Sequence, residues 1–165
     1  MATKTNYDDV VILKGTPETD NITNSGSNVT ISAGKGNDSI SNGGTNVSIN
    51  GGKGNDYIHN ESGDQVTLSG GAGNDTLIGS RFAEVFVYEG GKDVITNYSG
   101  EDTIQIASDK IDSYSFKGND LIFKIGSGSL RLNNMINHAI IIKDISQDPE
   151  TITDDDKEVL NGLYS

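Results

Sequence analysis

Between residues 20 and 104, aliphatic side chains return at a fixed interval that no helix produces. Ile22, Ile40, Ile58, Leu77 and Ile95 each stand two residues after an acid, namely Asp20, Asp38, Asp56, Asp75 and Asp93. Ile31, Ile49 and Leu68 each stand two residues after Val29, Val47 and Val66. The two series interleave, so the period is about eighteen residues, made of two unlike halves of nine. A 3.6-residue period is absent, and glycine is too dense for helix. Nine residues divide into a six-residue Gly/Asn/polar turn and a three-residue strand. Gly and Asn tolerate the positive φ of tight turns, and the strand's central aliphatic points inward. The pattern predicts an all-β fold over residues 15–105: a flattened, right-handed parallel β-roll, a solenoid of two sheets around a thin aliphatic core.

The repeat breaks down gradually. The second-half slots that follow hold Glu84/Phe86 and Asp102/Ile104, and beyond residue 81 longer β-rich runs take over. Phe82–Tyr88, Ser113–Phe116, Asp120–Ile125, Ser129–Leu132 and Ala139–Lys143 read as strands, with Gly126-Ser127-Gly128 as a hairpin turn. The expected organisation is a lead-in strand over residues 1–14, the roll over 15–105, a β-rich cap over 106–145 and an acidic tail over 146–165. The tail carries Asp154-Asp155-Asp156 and a candidate short helix from Thr153 to Leu163. The cap is expected to cover the open apolar end of the roll.

Composition narrows the chemistry. Among 165 residues there are 21 glycines, no cysteine, no tryptophan and 33% hydrophobic residues, so the core must be thin and regular. A net charge of −12 disfavours nucleic acid and favours a cation as partner. No stretch reaches transmembrane length, and the N-terminus reads as lacking a signal peptide. His59 and His138 have no partnered nucleophile, and the Gly-Lys-Gly runs lack the Ser/Thr that a phosphate loop needs. No catalytic constellation stands out, so the chain is not expected to be an enzyme in its own right.

Stacked coils place Asp38, Asp56 and Asp75 along one edge, roughly 4.8 Å apart. At that spacing neighbouring carboxylates repel by roughly 3.5 kcal/mol at an effective dielectric of 20. A divalent ion between coils reverses the sign of that interaction, and the glycine-rich turns expose carbonyls to complete an oxygen shell. Hard oxygen donors in a flexible shell suit Ca²⁺ better than Mg²⁺, and the lack of cysteine disfavours zinc.

Three turns carry the most specific signal: Ala33-Gly34-Lys35-Gly36-Asn37-Asp38, Gly51-Gly52-Lys53-Gly54-Asn55-Asp56 and Gly70-Gly71-Ala72-Gly73-Asn74-Asp75. They resemble the Gly-Gly-x-Gly-x-Asp-x-aliphatic-x nonapeptide of RTX (hemolysin-type) calcium-binding proteins. That resemblance implies calcium sites between Asp38 and Asp56 and between Asp56 and Asp75, completed by carbonyls of the same three turns. Weaker sites would join Asp20 to Asp38 and Asp75 to Asp93, giving about three or four ions on a single edge. The opposite edge departs from the family. Val29, Val47 and Val66 replace the Asp there, so that edge is expected to bind no calcium. Asn24, Asn42 and Asn60, with Asn28 and Asn46, are expected to form amide ladders instead.

The resemblance further implies a monomeric, calcium-folded module of a bacterial protein that is secreted or displayed at the cell surface, with the tail as a type I secretion signal. Two other readings follow from the same likeness. One is a polysaccharide-binding module like those of alginate epimerases, using Lys35, Lys53, Arg81 and Lys92. The other is the C-terminal part of a secreted enzyme or toxin.

Overall fold

A computed structural model describes residues 1–107, 110–135 and 140–144. The tail with its candidate helix, His138 and Ala139 lie outside the described residues. Sixteen strands occur among them and no helix. The first twelve pair off into six coils: β1 (Ala2–Asn6) with β2 (Ile12–Lys14), β3 (Asp20–Asn24) with β4 (Thr30–Lys35), β5 (Ser39–Asn42) with β6 (Ser48–Lys53), β7 (Tyr57–Asn60) with β8 (Val66–Ala72), β9 (Thr76–Ile78) with β10 (Glu84–Tyr88), and β11 (Lys92–Thr96) with β12 (Thr103–Ile106). Odd-numbered strands stack in one parallel sheet and even-numbered strands in the other, which is a parallel β-roll. Residues 2–14 supply a complete first coil, in register with the second through Ala2↔Asp20 and Leu13↔Ile31.

Period-two alternation decides what each strand buries. In β3 the inward residues are Asp20, Ile22 and Asn24, and the next two coils repeat this as Asp38, Ile40, Asn42 and Asp56, Ile58, Asn60, each Asp standing one residue before β5 or β7. The interior is therefore a stripe of aliphatic side chains, with a carboxylate column along one side and an amide column along the other. Ile31, Ile49, Leu68, Phe86 and Ile104 close the stripe from the second sheet, each at most 1% exposed. The extra residue between Glu61 and Leu68 is absorbed in a turn. Asn60 Nδ2 bonds to Gly63 O three residues on, whereas Asn42 Nδ2 bonds to Gly44 O two residues on.

Past the sixth coil the topology changes. β13 (Ile111–Lys117), β14 (Asp120–Ile125) and β15 (Gly128–Leu132) form an antiparallel meander, and β15 continues the first sheet beside β11. The turn between β14 and β15 is Gly126-Ser127, with Gly126 at φ 53° and Ile125 paired to Gly128. The second sheet ends on β16 (Ile141–Asp144), alongside β12. Leu121, Phe123, Ile125, Leu130 and Leu132 all join the buried core.

Candidate metal centre

The carboxylate column lies where the second sheet turns back into the first. From Asp20 to Asp75, the backbone N–H of each column Asp donates to the Asp of the next coil. Asp20 N bonds to Asp38 Oδ1 (2.7 Å), Asp38 N to Asp56 Oδ1 (2.7 Å), Asp56 N to Asp75 Oδ1 (2.8 Å) and Asp75 N to Asp93 Oδ1 (2.9 Å). This ladder uses one oxygen of every carboxylate. The second oxygens of Asp38, Asp56 and Asp75 are buried and have no hydrogen-bond partner. Burial raises all three acids above the ordinary Asp range, Asp56 to about 6, and lifts Asp93 to about 7.

The turns bring bare glycine backbone close against those oxygens. A methyl added at Gly51 would abut Asp56 Oδ2 and lie 2.7 Å from Gly70 O of the next coil. A methyl added at Gly70 would abut Asp75 Oδ2. The glycines at the second and fourth turn positions (Gly34, Gly36, Gly52, Gly54, Gly71 and Gly73) have φ between 95° and 148°. Any side chain at Gly52 or Gly54 would also strike the carbonyl of Gly34 or Gly36 in the coil before. Glycine is required there by conformation and by close stacking together. Lys35, Lys53 and Ala72 follow in register.

Among the described residues, no cluster of three or more His, Cys, Asp or Glu side chains gathers around one point. Any ion on this edge must therefore draw on backbone carbonyls as well as carboxylates, an all-oxygen set that fits calcium. Asp20 is built differently from its successors. Its Oδ1 accepts from Ala2 N (2.9 Å) and the Thr16 hydroxyl (2.9 Å), and its Oδ2 accepts from Thr16 N. Burial pushes the Asp20 pKa upward, but those hydrogen bonds outweigh it and hold the carboxyl below its ordinary value.

The opposite edge carries the amide ladder. Asn6 Nδ2 bonds to Asn24 Oδ1 (2.7 Å), Asn24 Nδ2 to Asn42 Oδ1 (2.8 Å) and Asn42 Nδ2 to Asn60 Oδ1 (2.9 Å). Asn46 Nδ2 bonds to Asn28 Oδ1 (2.7 Å) in an outer pair, both residues at positive φ. Two members escape the sequence reading: Asn6, which starts the inner ladder, and Glu84, whose Oε1 accepts Asn60 Nδ2 (2.8 Å) at its end. A further ladder follows the Asp turns on the outside, where Asn37 Oδ1 accepts Asn55 N (2.8 Å) and Asn55 Oδ1 accepts Asn74 N (2.9 Å). Its signal in the sequence is the Asn that precedes Asp in all three strong turns.

A parallel β-roll with stacked glycine-rich Asp turns along one edge is the architecture of a calcium-binding repeat module. The family model of the RTX calcium-binding nonapeptide repeat matches in four copies, over residues 15–46, 43–64 and 66–82, and this stretch is an RTX repeat module. No curated protein matches the chain.

Proposed function

We propose that the roll is a calcium-responsive folding module of a secreted bacterial protein, compact where calcium is abundant outside the cell and destabilised where it is scarce. The observation that carries this reading is the row of buried, unpartnered oxygens on Asp38, Asp56 and Asp75. Burying an ionised oxygen without a partner is costly, and several in one column exceed what a thin core absorbs. Asp38, Asp56 and Asp75 would hold the ions, with carbonyls from turns 33–36, 51–54 and 70–73, and Asp93 would close the row. Bound calcium supplies the positive charge that these stacked carboxylates lack. Extracellular calcium modules work with weak sites, roughly 0.1–1 mM, and binding energy at such sites is folding energy. The segment after the sixth coil serves as the cap: the meander pairs β15 with β11 and so covers the strand edge that the roll would otherwise leave open.

Circular dichroism of the full chain during a calcium titration, with a chelator control, tests the proposal. A loss of β signal in chelator and its recovery at millimolar calcium is expected. A spectrum equally β-rich in chelator and in calcium refutes it.

A further inference from the structure

The amide column ends at Asn60, because the position one coil on is Gly79, which has no side chain. Glu84 enters the vacated column from the second sheet, where the preceding coil has Val66. Its Oε1 is held by Asn60 Nδ2 (2.8 Å), Ser80 N (3.1 Å) and the Ser80 hydroxyl. Its Oε2 is buried and receives no hydrogen bond. A methyl placed on Gly79 would lie 3.1 Å from this oxygen and 2.9 Å from Phe86 Cζ, so an aromatic ring shares its surroundings.

The next coil sets a second acid against the first. Asp102 is wholly buried, its Oδ1 accepting Glu84 N (2.8 Å) and its Oδ2 accepting Ser99 N (2.6 Å). The Glu84 carboxyl stands within hydrogen-bonding reach of the Asp102 carboxyl, yet two carboxylates have no hydrogen to place between them. One proton on Glu84 supplies it and leaves a single negative charge where there would be two. Burial is the largest cause raising the Glu84 pKa, and the hydrogen bond and charge of Asp102 add to it. The bonds from Ser80 and Asn60 pull the other way, and the balance stands at about 7. Among the described residues no cation forms a salt bridge with either acid. Tyr98 donates its hydroxyl to Asp102 O (2.9 Å), and burial lifts its pKa to about 12, so it stays neutral. On the remaining neighbouring segments Glu61, Arg81 and Glu101 are exposed, and His59 and Asp64 are half-buried.

We propose that Glu84 and Asp102 share one proton and form a pH-sensitive latch between the fifth and sixth coils. The latch holds β10 on β12, and β12 in turn carries β16 at the end of the second sheet. Folding raises the Glu84 pKa from its ordinary 4.5 to about 7. The stabilisation is therefore complete below about pH 4.5 and is lost as pH rises through 7. Neither acid belongs to the Asp edge, so the latch works with calcium bound.

Carbon-13 NMR of the side-chain carboxyls, followed across neutral pH on the full chain in saturating calcium, tests it on the unaltered protein. The Glu84 signal, assigned through its backbone, should titrate with a midpoint near pH 7. A midpoint below about pH 5.5, close to that of a free glutamate, overturns the proposal. In Asp102→Asn the second charge is gone, and the Glu84 midpoint should fall by about one pH unit. An unmoved midpoint means that burial alone holds the proton, and it overturns the sharing. Glu84→Gln keeps an acceptor for Asn60 and Ser80 and offers Asp102 a permanent N–H. In saturating calcium the urea midpoint of the unaltered chain should fall as pH rises through 7, while that of E84Q holds steady. Parallel declines overturn the proposal. Should neither variant fold, the titration of the unaltered chain decides.

Discussion

Truncating Asn42 isolates what the amide column contributes, because its side chain makes four hydrogen bonds while wholly buried. Its Nδ2 donates to Gly44 O (2.9 Å) and Asn60 Oδ1 (2.9 Å), and its Oδ1 accepts from Asn24 Nδ2 (2.8 Å) and Gly44 N (3.2 Å). In Asn42→Ala, Asn24 Nδ2 keeps Gly26 O, and Asn60 Oδ1 keeps Gly63 N. The cost therefore falls mainly on the amide and carbonyl of Gly44, which both lose this partner inside the roll. At about 1–3 kcal/mol for each buried group left unsatisfied, with partial relaxation, the expected loss is about 2–4 kcal/mol. Asn46→Gly is the control. It removes one exposed amide bond at a residue whose φ of 56° glycine accepts freely, so its effect should stay within about 0.5 kcal/mol. Urea unfolding in saturating calcium, followed by circular dichroism at equal m-values, measures both. If N42A costs less than about 1 kcal/mol, or no more than N46G, the column is a consequence of stacking and not a support for it.

Three further outcomes follow. Asp56→Asn keeps an acceptor for Asp38 N and removes a charge between two sites; it should lower the calorimetric ion count and raise the calcium midpoint at least tenfold, and an unchanged midpoint would exclude Asp56 as a ligand. Ile58→Ala, at a fully buried position, should cost about 2–5 kcal/mol in saturating calcium and leave the ion count unaltered, as read by urea unfolding and calorimetry. The Asp56 and Asp93 pKa values are raised on folding, to about 6 and about 7, so the calcium-free fold binds protons more tightly than the unfolded chain. Their contribution to calcium-free stability is complete below pH 4 and is lost as pH rises through 6 to 7; chelator-treated protein should therefore gain β signal on acidification from pH 7.5 to 4.5, and a flat profile would count against buried carboxylates as the source of instability.

Much of this architecture was legible because its period is rigid. Eighteen residues make one coil, so any side chain repeated at that interval must stack, and both the Asp column and the Asn24–Asn42–Asn60 column can be read directly from the chain. What could not be read were features that depend on how columns end. Asn6 stands eighteen residues before Asn24, but no glycine-rich turn marks its coil. Asp20 has the spacing of a ligand, yet Thr16 folds back onto both of its oxygens, a pairing that the spacing does not encode. Glu84 reads as a degraded repeat, because its partnership with Asn60 crosses 24 residues and depends on the missing side chain at Gly79.

The two edges solve one stacking problem with different chemistry. An amide carries a donor and an acceptor, so translation by one coil brings Nδ2 onto Oδ1 and the column satisfies itself without charge. A carboxylate only accepts. Stacked the same way, it borrows one backbone N–H from the neighbouring coil and leaves its second oxygen bare. Asp20 avoids this by turning Thr16 inward, and Asp102 by turning Ser99 inward. Asp38, Asp56 and Asp75 have no such recourse, and theirs are the buried Asp oxygens without partners among the described residues. Dependence on a cation should therefore scale with these bare oxygens and not with the six coils. Supplying a Thr16-like donor to an Asp turn should make the fold less dependent on calcium, whereas lengthening the amide column should stabilise it in chelator and calcium alike.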